Sequence, residues 1–121
     1  VMKENVVLEK SFEFAVRIIN LYKHLSFKLN EKVLSKQILR SGTSIGANIE
    51  EAVGSISEKE FLMKLTIAYK EARETKYWLR LLNRTEFLSD AEYKSLLKDA
   101  EELLKILGSI QLTLKNKTRN S

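Results

Sequence analysis

Five basic side chains recur along one stretch of the chain: Lys70, Arg73, Lys76, Arg80 and Arg84, at spacings of 3, 3, 4 and 4. On a helix turning about 100° per residue they share a face of about 120°. Tyr69 and Tyr77 fall within that face. Guanidinium and ammonium groups hold phosphates, and interleaved rings offer stacking surfaces for bases, so the pattern fits nucleic acid, RNA or DNA, bound by charge and shape. Tyr and Arg are also enriched where proteins meet, so a subunit or partner interface is a second reading; a solvated face is a third. Trp78 lies on the opposite flank, near Ile67, Glu71 and Glu74, and reads as an interface anchor or as the edge of a core. A second basic set, Lys32, Lys36 and Arg40, recurs at a spacing of four.

Catalytic chemistry finds little to rest on. The single histidine, His24, is preceded three residues earlier by Leu21, so the Glu-x-x-His motif of di-iron bundles is absent. One imidazole without spaced partners is a poor metal site, and His24 reads as a polar residue near a helix end. Gly42-x-x-x-Gly46 is followed by Ala47 and Asn48, where a phosphate loop requires Gly-Lys-Ser/Thr after a strand. Ser41, Thr43 and Ser44 have no histidine base within reach by sequence. Glu50, Glu51, Glu71 and Glu74 read as salt-bridge partners of Arg40, Lys70 and Arg73, or of a neighbouring subunit, rather than as a cation site. The expectation is a non-enzymatic protein with no cofactor and no metal.

The elements that position the basic face come from apolar periodicity. With 121 residues the chain makes one domain with a real core. Proline and cysteine are both absent, which favours unbroken helices and excludes disulfides and thiol chemistry. A first helix is expected over about residues 5–25, with Leu8, Phe12, Ala15, Ile19, Tyr22 and Leu25 inward and Val16 and Ile18 widening the stripe. A second spans about 31–53, with Asn30 as a possible N-cap and Gly54 as a left-handed C-cap. The third, about 58–83, opens on a Ser57/Glu60 capping box and carries Phe61, Leu65, Ala68, Ala72, Thr75, Leu79 and Leu82 at heptad-like spacing. The fourth, about 90–114, opens on Ser89/Glu92, faces Tyr93, Leu96, Leu97, Ala100, Leu103, Leu104, Leu107 and Ile110 inward, and frays into a basic tail, 115–121. Four such helices with short connections make an all-α, antiparallel up-down-up-down four-helix bundle. In it Lys32, Lys36, Arg80 and Arg84 fall at one end.

Within the second helix, Arg40 to Ala52 reads RSGTSIGANIEEA. Its two glycines each cost about 1 kcal/mol against Ala, which close approach of a neighbouring helix would offset; Ala68 and Ala72 are the expected neighbours. This block, with SEKEFLMKLTIAYKEARETKYWLRLL from Ser57 to Leu82, covers about a third of the chain and resembles the four-helix-bundle family of 23S rRNA-intervening-sequence proteins. That family is similar to the accessory variability protein of diversity-generating retroelements. The resemblance implies a ring-shaped homopentamer of bacterial source, and no settled activity; the cytoplasm is the expected location. The retroelement relative binds nucleic acid and a reverse transcriptase, so a nucleic-acid-processing protein joins RNA, DNA and the chain itself as an expected partner.

Charge is uneven along the chain. Its net value is +5 with a pI of about 9.4, which permits a polyanionic partner without requiring one. Residues 1–40 carry eight basic and four acidic groups, residues 85–102 carry two and six, and the last seven carry three basic and none acidic. No apolar run approaches the roughly 20 residues of a membrane span, and none resembles a signal peptide. Val1, ahead of Met2, reads as an addition to the natural start.

Overall fold

The computed structural model describes the backbone of residues 2–120 and the side chains of residues 5–117. The chain forms four helices and, among the described residues, no strand: α1 (Met2–Lys23), continued by a π-helical turn (His24–Lys28), α2 (Leu34–Val53), α3 (Glu58–Arg84) and α4 (Asp90–Asn120). Each helix packs on the next, and α4 returns to pack on α1. Phe14 and Ile18 of α1, Leu25 of the π-helical turn, Ile38, Ile45 and Ile49 of α2, Leu65, Leu79 and Leu82 of α3, and Leu103 and Leu107 of α4 meet in one core.

The seam of α3 is buried as its spacing predicts, from Leu65 through Ala68, Ala72, Thr75 and Leu79 to Leu82, with Phe61 half-buried at its start. Ser57 accepts the Glu60 amide at 3.0 Å, which satisfies one of the orphan donors of the first turn. Ser89 does the same for the Glu92 amide at 3.2 Å. On α4, Leu96, Ala100, Leu103, Leu107 and Ile110 are buried. That helix runs on to Asn120, so the expected fraying at 115 does not occur; the side chains of residues 118–121, Arg119 among them, lie outside the described residues.

Two local expectations at the ends of α2 are corrected. Asn30 does not cap α2: its φ is +56°, and the Glu31 carboxylate takes the capping role by accepting the amides of Leu34 at 3.0 Å and Ser35 at 2.7 Å. A longer side chain reaches further into the first turn than asparagine does. Gly54 terminates α2, but at φ −87°, because its amide closes onto the Glu50 carbonyl without any left-handed turn.

The largest correction concerns α1. The buried positions are Val7, Ser11, Phe14, Ile18, Leu21 and Leu25, one residue earlier than expected along most of the helix. Phe12, in the expected inward stripe, is 64% exposed, and Val16 and Ile19 are exposed beside it. The helix carries two apolar stripes roughly 100° apart, and periodicity alone does not choose between them. The glycines of α2 do. A methyl group placed on Gly42 would lie 2.8 Å from both Cγ atoms of Ile18, and one on Gly46 would lie 3.4 Å from the Ser11 carbonyl oxygen. The small patch therefore receives α1, not Ala68 and Ala72 of α3. Toward α3, α2 presents Ser41 instead, whose hydroxyl hydrogen-bonds that of Thr75 at 2.9 Å inside the core.

The two glycines should respond oppositely to alanine. Gly42→Ala gains about 1 kcal/mol of helix propensity but drives a methyl into a β-branched side chain stiff at χ1. Overpacking of this kind costs typically 1–3 kcal/mol. Thermal unfolding should show Gly42→Ala melting below the parent, with Ile18→Val partly restoring it. Gly46→Ala should melt at or above the parent; a lower melting point for Gly46→Ala than for Gly42→Ala would refute the assignment.

Candidate nucleic-acid interface

Because the seam of α3 turns inward, its basic positions turn out. Arg73, Lys76, Tyr77 and Arg80 line a shallow groove of about 230 Å³ whose other wall is Tyr93 and Leu97 of α4. Three cations and two phenol rings thus converge over an apolar floor. Lys76 is half-buried and stands 3.4 Å from Glu101. Arg73 and Arg80 are exposed and make no ion pair among the described residues. Lys70 and Arg84 are equally exposed and unpaired among those residues, but lie outside the groove lining.

The remaining expected residues are placed differently. Tyr69 is half-buried against α4, where a methyl group on Gly108 would lie 3.6 Å from its ring. Trp78 is half-buried, meets Tyr77 edge-on at 5.1 Å, and donates its indole N–H to Glu74 at 2.9 Å. Arg40 is held by two carboxylates, Glu71 at 2.8 Å and Glu74. Those bonds push its pKa further up and leave little of its charge for a phosphate. Of the other carboxylates, Glu51 pairs with Lys64 at 2.8 Å rather than with Lys70 or Arg73. Lys32 donates to the Ser26 carbonyl at 2.9 Å, and Lys36 is exposed.

Sequence reading missed the acidic counterpart of this groove. Between α1 and α4 lies a second depression, about 470 Å³, lined by Glu9, Glu13, Asp99 and Glu102 over Val6, Phe14 and Leu103. Lys10 and Arg17 bridge its rim to Glu102 at 2.9 Å and Asp99 at 2.6 Å. Thus α4 separates a basic groove from an acidic one. The excess of acid over residues 85–102 was the only signal of it. Among the described residues no group of three or more His, Cys, Asp or Glu is arranged to hold a metal ion, and no helix is long and apolar enough to cross a membrane.

A four-helix bundle with a basic, tyrosine-flanked groove is the class that fold and site define. Within it, the chain belongs to the 23S rRNA-intervening sequence protein family, whose model matches residues 3–109. It is similar to a crystal structure of a protein of unknown function from the S23 ribosomal protein family of Bacteroides thetaiotaomicron. The identity is 58%, the TM-score 0.89, and the match covers 90% of this chain and 97% of that one. Among curated proteins none matches.

Glu74 gives the site a spectroscopic handle. The Trp78 indole N–H, and then Arg40, hold its carboxyl below the usual value of 4.5. A depressed carboxylate contributes stability that is present above pH 4.5 and lost as pH falls through the folded-state value. Trp78 is the only tryptophan. Its emission should therefore titrate with a midpoint below pH 4.5, and Arg40→Met should raise that midpoint. An unmoved midpoint in Arg40→Met would remove Arg40 from this account.

Proposed function

We propose that this chain is a non-enzymatic, oligomeric nucleic-acid-binding protein that holds RNA or DNA by charge and shape through the α3–α4 groove. The observation carrying this reading is the convergence of Arg73, Lys76 and Arg80 with Tyr77 and Tyr93 in one open groove. Cations fix a phosphate backbone without reading sequence, and the exposed phenol of Tyr77 accepts any base. Lys70 and Arg84 extend the charged surface along α3. Lys32 and Lys36 add to the end of the bundle where Arg84 stands.

The bundle runs up-down-up-down and assembles as a homopentameric ring, in the bacterial cytoplasm. Pairings such as Gly42 with Ile18, Ser41 with Thr75 and Arg17 with Asp99 support the topology, since residue numbers rise on one helix as they fall on its neighbour. Support for self-association comes from the unburied stripe of α1. Phe12, Val16 and Ile19, with Leu8 and Ala15 between them in register, make an apolar face on the side of α1 toward α2. A ring repeats the groove in every subunit, which multiplies a weak patch into avidity for a long polyanion.

A second reading makes the α3 face a protein-docking surface, for a sister subunit or a nucleic-acid-processing protein. It is favoured by Met63 and Ile67, which are exposed along the flank next to the basic stripe, and by Tyr77 exposed within it.

Light scattering and salt-titrated binding separate these readings. The double substitution Arg73→Glu and Arg80→Glu should lower affinity for a structured RNA at least about tenfold at low salt. It should also reduce the log–log salt slope by about 1 per lost phosphate contact and leave the mass unchanged. Dissociation of the oligomer by that variant, or unchanged affinity, would move the basic stripe to the protein-docking reading. Phe12→Asp should lower the solution mass while helicity is retained; a mass equal to the parent's would take α1 out of the subunit contact.

A further inference from the structure

Where α1 ends, the chain sets an aromatic ring in water. Phe27 belongs to the π-helical turn His24–Lys28 and is 70% exposed, although Leu25 and Ser26 just before it are buried. Such turns are rare and concentrate at functional sites. The ring is not loose. Tyr22 meets it edge-to-face, with centroids 6.2 Å apart and planes at 72°. The Lys32 ammonium stands 5.6 Å from its centroid, anchored there by the Ser26 carbonyl at 2.9 Å and the Ser26 hydroxyl at 3.3 Å.

The charge around this ring is positive. Lys23 at the end of α1, Lys28 on the turn and Lys36 at the start of α2 are exposed, and none makes an ion pair among the described residues. The adjacent acid, Glu31, has both oxygens turned to the amides of Val33, Leu34 and Ser35. The turn stands at the end of the bundle where α3 hands over to α4, since His24 shares a shallow pocket with Glu92 and Leu96. Glu86, Asp90 and Glu92 belong to that end too, with Asp90 engaged by the Asn83 amide at 2.8 Å.

A braced, exposed ring within reach of ammonium groups suits a flat aromatic ligand that carries phosphate on either side. A duplex keeps its base faces stacked inside, whereas an unpaired strand presents them. We propose that Phe27 is a stacking platform for unpaired nucleobases, with Lys32 bracing the ring and Lys28 meeting a flanking phosphate. This rests on the nucleic-acid reading of the α3–α4 groove and adds the state of the ligand, a strand with unpaired bases at the end of the bundle.

The test compares the full chain and its variants on a labelled oligouridylate and a labelled RNA duplex of equal length. Phe27→Ala should weaken strand binding about tenfold, the scale of one lost base–aromatic stack. Duplex affinity and salt slope should stay unchanged, because the phosphate contacts remain. Phe27→Tyr, which keeps the ring, should bind like the parent. Phe27→Trp should gain an emission that the strand quenches beyond the response of Trp78. Equal strand affinities for the parent and Phe27→Ala would overturn the platform while leaving the groove reading intact. Equal losses on strand and duplex would overturn it as well. So would a loss of binding to phosphatidylserine vesicles with none to the strand, which would make the turn a lipid contact. A parent chain that binds neither RNA overturns both readings.

Discussion

The separation of α1 and α2 is set by a missing side chain. At Gly42 the space a methyl group would need is already filled by the two γ carbons of Ile18. Backbones that approach this closely leave little freedom of rotation, since any turn of α1 about its axis would replace Ile18 by a neighbour of different shape. The choice propagates outward. With Ile18 and Ser11 against the glycines, Phe14 and Leu21 fall into the core and Phe12, Val16 and Ile19 face outward. The close approach at the two glycines thereby decides which of two apolar stripes stabilises the bundle and which remains exposed.

That dependence explains what could be read from the residues and what could not. The seam of α3 is legible because its positions keep heptad-like spacing without interruption from Phe61 to Leu82 and lie opposite the basic stripe of the same helix. The caps at Ser57 and Ser89 are equally local: each needs a hydroxyl and an amide three residues on, and both form. On α1 both candidate faces are apolar, and the arbiter sits more than twenty residues away on α2, where no local pattern records it. Gly42 and Gly46 did announce a close approach, but a side-chain-free patch names no partner. The opening of α2 was misread for a related reason. Asparagine is the better cap by propensity, but Glu31 is the residue whose carboxylate reaches the free amides.

The candidate site divides along the same line. The basic stripe of α3 lies on one helix, so helical spacing alone puts Arg73, Lys76, Tyr77 and Arg80 together. Its opposite wall, Tyr93 and Leu97, was legible only as part of an inward stripe of α4; the groove exists because those half-buried positions sit at the edge of the core. Arg40 joins its basic neighbours in sequence and leaves them in space, since Glu71 and Glu74 of α3 lie directly across from it. Charges on one helix face are counted easily from sequence, whereas their neutralisation across a helix pair depends on how the helices meet.

The segregation of charge across α4 has a consequence for motion as well as for binding. With Glu9, Glu13, Asp99 and Glu102 on one side of that helix, the last two paired with Arg17 and Lys10, and Arg73, Lys76 and Arg80 on the other, the charges beside α4 make a local dipole transverse to that helix. In the field of a polyanion such a dipole experiences a torque. Within about one Debye length, some 10 Å at moderate salt, such a torque would turn the cationic side of the molecule forward before any atom touches. A net charge of +5 alone would attract without orienting.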